Sequence, residues 1–299
     1  MDFVANNAET SIAPILMPTF NAFLPLLEKN RQSIQSVRRE TMKYGKTDRH
    51  MLDVYYPQTS KATKPPILIF AYGGGFTSGE RVRPPPADLV YTNVGAFFAS
   101  RGLLTVIPDY RLVPEVKYPQ PVEDINDALA YVVANLGEAG DTDKVFLYGH
   151  SAGASIVSSL YLHEPSLLGE GLRAHVKGIA TLGAPFIFEG PDSRVQDSIL
   201  QYYGDAYERL CPYGLLKSAS SETLAGLPPL FVMRAEKEPR GLVICHERTL
   251  ELLKEKGITD VSSYIAMGHN HISPGVALSS GEGEEWGNKL VAWVKEHLS

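Results

Sequence analysis

Eight stretches of the chain carry the apolar runs or alternations expected of β-strands: Thr41–Tyr44, Met51–Tyr56, Ile67–Tyr72, Leu103–Ile107, Lys144–Tyr148, Val176–Leu182, Leu230–Arg234 and Val261–Ala266. The third, ILIFAY, and the fifth, KVFLY, are continuously apolar, as suits strands buried on both faces of a parallel sheet. Between the strands the period changes to 3.6. EDINDALAYVVANL puts Ile125, Leu129, Val132, Val133 and Leu136 on one helix face, and EEWGNKLVAWVKEHL does the same with Trp286, Leu290, Trp293, Val294 and Leu298. Two opening strands followed by β/α alternation predict one α/β domain over residues 1–299, with a mostly parallel eight-stranded sheet and helices on both faces. Residues 1–40 differ in character. NAFLPLLEKNRQSIQSVRRE is apolar on one side and charged on the other, which predicts a helical extension lying over the mouth of a site.

Composition narrows the setting. The chain has 299 residues, 44% hydrophobic and 21% charged, with a net charge of −6 and no basic run, so nucleic acid is not an expected partner. The N-terminal MDFVANNAETSIAPILMP lacks a basic start, and Pro14 and Pro18 break its short apolar stretch. It reads as neither signal peptide nor membrane span, so a cytoplasmic protein without membrane partners is expected. Cys211 and Cys245 show no C-x-x-C spacing, and a reducing compartment fits them. His269-x-His271 has no third histidine or carboxylate cluster beside it, so neither metal nor cofactor is expected. His50, His163, His175, His246 and His297 show no ligand spacing and read as surface or satisfied histidines. A homodimer is compatible with the sequence without being required by it.

The candidate chemistry begins at KVFLYGHSAGASIV, where a strand meets Gly149-His150-Ser151-Ala152-Gly153 and a helix follows. G-x-S-x-G arises by chance in about one chain in ten of this length, so context must decide. A strained strand-to-helix turn would expose the Ser151 hydroxyl as a nucleophile, with small flanking residues avoiding collision with strand and helix. That hydroxyl needs a base. Directly after the third strand, AYGGGF (Ala71–Phe76) offers backbone N–H groups without Cβ atoms in the way. Acid candidates Glu236 and Glu238 follow the seventh strand in LPPLFVMRAEKEP, and base candidates His269 and His271 follow the eighth in MGHNHISP. Serine, acid and histidine thus come in the chain order that α/β hydrolases use.

These motifs, with DYRLVPE (Asp109–Glu115) after the fourth strand, resemble the α/β-hydrolase esterases of the hormone-sensitive-lipase-like and arylformamidase-like branches, from residue 40 onward. The resemblance implies Ser151 as nucleophile and His271, preferred over His269, as base. It implies Glu238 as the acid, standing before Pro239 where the family usually has aspartate, with Glu236 competing. Gly74, Gly75 and Ala152 are implied as oxyanion-hole donors. Tyr72 stands where the family has a loop-orienting histidine. His150 stands where many lipase-like members have aspartate, which points to the broader esterase or formamidase group. Arg111 and Glu115 are expected to support loops. A substrate pocket is expected from Tyr72, Phe76, Tyr202 and Tyr203, under a cap formed by residues 186–227 and beside a stiff wall at Pro84–Pro86. The cap's tyrosines suit an aromatic or partly polar group, and it lacks the long amphipathic helix of an interface-activated lipase. The expected activity is hydrolysis of small-molecule carboxylic esters, short-to-medium acyl or aryl, through an acyl-enzyme. An arylformamidase or small amidase with the same triad, or a non-catalytic binding protein of this fold, are the alternatives.

Overall fold

In the computed structural model, which describes residues 1–58, 64–169, 171–188 and 193–298, eight strands form one sheet. They are β1 (Arg39–Lys43), β2 (Met51–Tyr55), β3 (Pro66–Ala71), β4 (Leu104–Pro108), β5 (Asp141–His150), β6 (Val176–Leu182), β7 (Leu230–Lys237) and β8 (Val261–Asn270), in the spatial order β1-β2-β4-β3-β5-β6-β7-β8. The pairings of β2 with β1 and β4 are antiparallel, and all others are parallel. This is the α/β-hydrolase fold. Ile67 to Ala71 and Val145 to Tyr148 are buried without a break, so both faces of the central strands are covered. The chain passes from β3 to β4 on one side and then to β5 on the other. That order reversal opens a crevice beyond the carboxyl ends of β3 and β5.

The helices among the described residues are α1 (Asp2–Asn6), α2 (Ile12–Lys29), α3 (Arg31–Ser36), α4 (Thr92–Ala99), α5 (Gln120–Asn135), α6 (Ala152–Leu162), α7 (Ser193–Tyr203), α8 (Tyr207–Leu210), α9 (Pro212–Ser218), α10 (Ser221–Ala225), α11 (Arg240–Glu255), α12 (Ser273–Ala277) and α13 (Glu285–Glu296). Ile125, Leu129, Val132 and Leu136 are buried on or just past α5, as Trp286, Leu290, Trp293 and Val294 are on α13, the stripes that their period required. The seventh and eighth strands run past their apolar patterns, to Lys237 and Asn270, and both of these residues are held by the N-terminal segment: Lys237 Nζ donates to the Val4 and Ala5 carbonyls, and Asn270 Nδ2 donates to Thr19.

The N-terminal helix begins earlier than its pattern suggests. α2 starts at Ile12 and continues through Pro18 and Pro25. Both prolines, with Pro14, lie on the exposed side, where water can bond the carbonyls they free, while Ile15, Phe20, Phe23 and Leu27 bury the other side. α2 packs on α12, and its Thr19 hydroxyl accepts a hydrogen bond from Asn270 Nδ2 (2.9 Å). Between β6 and β7 lie α7 to α10. Residues 189–192 of the expected cap lie outside the described residues.

Candidate active site

The β5–α6 turn is forced into one shape from several sides. Ser151 has φ 53° and ψ −124°, a sparsely populated conformation for a residue with a side chain. Its N–H donates to the Leu182 carbonyl on β6 (2.9 Å). A Cβ on Gly149 would fall 2.5 Å from the Ala154 Cα, and one on Gly153 would fall 2.1 Å from the Ala71 carbonyl oxygen. Both contacts are to backbone that cannot step aside, so glycine is the residue that fits.

Three side chains from three strand ends meet here. His271 Nε2 lies 3.0 Å from Ser151 Oγ, and His271 Nδ1 lies 2.7 Å from Glu238 Oε2. The Glu238 carboxylate can only accept, so Nδ1 carries the proton and Nε2 faces the serine hydroxyl as acceptor. Glu238 and His271 are buried, and Glu238 Oε1 also accepts from the Ala235 N–H (3.3 Å). Gly183, after β6, makes room for the pair: with φ 60°, a Cβ there would lie 2.7 Å from Glu238 Oε1 and 3.0 Å from the His271 ring.

The competing residues are occupied elsewhere. Glu236 is exposed and accepts from the Gly268 N–H (2.6 Å). His269 lies between the Ser273 hydroxyl (2.9 Å) and the Gly283 carbonyl (2.9 Å), with burial pushing its pKa down to about 4. His150 donates from Nε2 to the carbonyl of His271 (2.9 Å). Burial, reinforced by the His271 ring, pushes the His150 pKa down to about 3. A neutral histidine therefore ties the nucleophile strand to the backbone of His271, a link no motif announces.

The glycine loop runs against the serine. A Cβ on Gly73 would lie 2.9 Å from that of Ser151. The Gly74 carbonyl accepts from the N–H groups of Thr77 (3.2 Å) and Ser78 (3.0 Å) and from the Ser78 hydroxyl (2.9 Å). In a planar trans peptide this turns the Gly75 N–H the opposite way. Gly74 and Gly75 have φ of 144° and 61°. Among the described residues, their N–H groups donate to no protein oxygen. Ala152 opens α6, where an N–H has no intrahelical acceptor.

Phe76 stacks on Tyr202 with ring centroids 4.1 Å apart, and Tyr203 meets both rings. All three side chains are buried, and among the described residues the Tyr202 and Tyr203 hydroxyls have no hydrogen-bond partner. Tyr72, expected in the pocket, stands under the glycine loop instead. It is wholly buried between Tyr91 and Tyr110, and its hydroxyl donates to Asp109 Oδ1 (2.6 Å). Burial, and then Asp109, holds that phenol well above its ordinary pKa, so it keeps its proton. Arg111 forks the buried Asp124 carboxylate (2.6 and 3.0 Å) and so fastens the segment after β4 to α5. A mainly apolar cavity of about 40 Å³, lined by Ser158, Thr181, Phe186, Tyr213, Leu216 and Val232 among others, begins two residues down β6 from Gly183. Among the described residues, no group of three His, Cys, Asp or Glu side chains is arranged to hold a metal ion, and no helix is long and apolar enough to cross a membrane.

A family model described as BD-FAE matches residues 52–165, from β2 to just past α6. Carboxylesterase NlhH of Mycobacterium tuberculosis is 27% identical over 251 residues, covering 77% of this chain and 75% of that protein. The non-reducing polyketide synthase ausA of Aspergillus calidoustus is 35% identical over 145 residues, which are 44% of this chain and 6% of that far longer protein. Among solved structures, esterase B of Lactobacillus rhamnosis matches with a TM-score of 0.71 and 17% identity, covering 95% of each chain. At that identity the likeness speaks for the fold.

Proposed function

We propose that this α/β-hydrolase-fold chain is a carboxylic ester hydrolase that works through Ser151, His271 and Glu238. One observation carries the reading: an unbroken hydrogen-bonded line from Ser151 Oγ through the His271 ring to Glu238, beside a loop whose Gly74 and Gly75 N–H groups have no acceptor among the described residues. Ser151 Oγ attacks the ester carbonyl while His271 Nε2 takes its proton. Glu238 holds the tautomer and stabilises the imidazolium. The N–H groups of Gly74, Gly75 and Ala152 receive the oxyanion, already oriented before charge develops. His271 then gives the proton to the leaving alcohol. Water, deprotonated by the same nitrogen, cleaves the acyl-enzyme. His150 keeps the His271 backbone in place throughout. Relatives named as esterases support this reading.

The substrate is a small ester with a short-to-medium acyl or an aryl group, admitted beneath the segment between β6 and β7. The stacked Phe76, Tyr202 and Tyr203 rings, the first of them on the glycine loop, favour that size and shape. The test pairs a fluorophosphonate probe with p-nitrophenyl acetate, butyrate, octanoate and palmitate, plus an N-formyl aryl amide. Wild type should label at Ser151 and prefer the shorter esters. Ser151→Ala should stay folded, escape labelling and lose turnover by at least about 10⁴-fold. Retained activity in folded Ser151→Ala would overturn the mechanism. Best efficiency on palmitate or on the formamide would overturn the substrate class.

A further inference from the structure

The glycine loop must be held rigidly, because a donor displaced by a fraction of an ångström loses much of its worth to an oxyanion. Its two ends converge on one side chain from elsewhere in the chain. Arg49, in the turn between β1 and β2, donates from Nη2 to the Tyr72 hydroxyl oxygen (3.0 Å) and to the Gly79 carbonyl (2.7 Å), and from Nε to the Tyr110 carbonyl (2.7 Å). Tyr72 precedes the loop's first glycine, and Gly79 closes the loop. Gly79 has φ 113° and passes so near the Tyr72 ring that a Cβ would lie 2.7 Å from it. The remaining contacts tighten the same knot. Tyr110 donates its hydroxyl to the Tyr72 carbonyl (2.6 Å), and Asp109 accepts from the Tyr72 hydroxyl (2.6 Å), the Arg81 N–H (2.6 Å) and the Arg81 guanidinium. The turn bearing Arg49 is itself pinned: His50 Nδ1 accepts the Lys46 N–H (3.1 Å), and His50 Nε2 pairs with buried Asp124 (3.1 Å).

We infer that Arg49 is the positioning residue of the oxyanion loop, acting through Tyr72 and Gly79 and touching no substrate. A guanidinium suits the task because its fixed fork reaches three oxygens of three segments at once, which an ammonium on a flexible stem does not reproduce. The inference rests on the proposed role of Gly74 and Gly75. It predicts that losing the fork weakens transition-state stabilisation more than substrate binding.

The experiment compares wild type, Arg49→Lys, Arg49→Ala and Tyr72→Phe. Readouts are kcat and KM on p-nitrophenyl butyrate, the rate constant for fluorophosphonate labelling, and thermal unfolding, each with and without millimolar methylguanidinium. For Arg49→Ala, kcat should fall about 10- to 100-fold with KM within about threefold. Arg49→Lys should lie between it and wild type. Methylguanidinium should restore part of the lost kcat in Arg49→Ala and leave wild type unchanged. Tyr72→Phe keeps the ring but removes the hydroxyl that Arg49 and Asp109 share, and its kcat should fall by a smaller factor. If Arg49→Ala does not fold, Arg49→Lys and Tyr72→Phe decide. A folded Arg49 or Tyr72 variant with wild-type kcat, or a change confined to KM or thermal stability, would overturn the positioning role alone. A wild type that neither labels nor turns over ester would overturn the hydrolase reading and this one with it.

Discussion

The turn from Gly149 to Gly153 and the described residues between β6 and β7 are specified to very different degrees. In the turn, almost every residue is dictated by a contact with fixed backbone. Gly149 and Gly153 have no room for a Cβ, Ser151 is locked by the Leu182 carbonyl, and His150 is bonded to the backbone of His271. What is described of the longer segment is a series of helices, α7 to α10, and among the described residues its buried Tyr202 and Tyr203 hydroxyls have no hydrogen-bond partner. Strain is tolerated where surrounding structure over-determines it, and that is where chemistry needs sub-ångström placement. Freedom of sequence is left where a pocket has only to be roughly the right shape.

The sharpest way to break this contrast is to disturb the chemical line at paired positions. His271→Ala should lower kcat/KM by about 10⁴-fold or more, and Glu238→Gln by roughly 10²- to 10⁴-fold. Their neighbours His269→Ala and Glu236→Gln should leave kcat/KM within about tenfold of wild type once the protein is folded. Steady-state kinetics on one ester measures all four. Equal losses within either pair would mean that the acid or the base has been misassigned.

Gly153→Ala tests the turn as a backbone device. Its Cβ would fall 2.1 Å from the Ala71 carbonyl oxygen. Forcing strand and helix apart should cost about 3 kcal/mol in urea unfolding and displace Ser151 with them. A substitution of similar size in the β6–β7 segment, Gly204→Ala, has open space around its Cβ and strain only from its φ of 65°. It should cost about 1 kcal/mol. Similar costs at both positions would erase the difference between the regions.

Proton linkage reaches the turn through His150 and the rest of the fold through His246 on α11 and His269 on β8. His150, His246 and His269 are pushed down to about 3, 4 and 4, in each case mainly by burial. Their unfolded values lie near 6.5. Between about pH 4 and 6.5 the unfolded chain therefore binds more protons than the native one, so stability rises with pH across that window. The contribution is complete above about 6.5 and is lost as pH falls toward 4. Each histidine adds up to about 1.4 kcal/mol per pH unit to the slope. His246→Gln, on α11 and away from the serine, should flatten the curve by about that amount in urea unfolding between pH 4.5 and 7. An unchanged slope would mean that His246 is protonated in the native state.

The smallest effect is expected at the unpartnered phenols. Tyr203→Phe removes a buried hydroxyl with no partner among the described residues, so stability should stay level or rise by up to about 1 kcal/mol. A loss of that size would reveal a partner and make the segment better specified than its contacts indicate.

Much of this was legible before any coordinates. All eight strands overlap the stretches their patterns predicted, and the reason is plainest for β3 and β5: a strand covered on both faces must be apolar throughout, whereas the sheet-edge strands β1 and β8 are partly exposed. The stripes on α5 and α13 were equally readable. The first half of α2 was not, because Pro14 and Pro18 argue against a helix unless they face water, and the face they occupy depends on what the other face packs against. Tyr72 was placed in the pocket from its position in the motif. Its side chain turns the other way because Asp109 and Arg49 wait beneath it, and they come from β4 and from the β1–β2 turn.

The sequence by itself determined the sheet, its parallel centre and the order in which serine, acid and histidine occur, since periodicity and motif spacing are local properties of a chain. Only the tertiary structure shows that Glu238 and His271, and not Glu236 and His269, line up with Ser151. The members of each pair are two residues apart, and which one reaches Ser151 depends on the bend at the end of its strand and on the space left by Gly183. The same holds for Arg49, whose three hydrogen bonds reach oxygens 23 to 61 residues away along the chain. No local pattern encodes such a contact, because it exists only once the sheet has brought the carboxyl ends of β1, β3 and β4 to one end of the sheet.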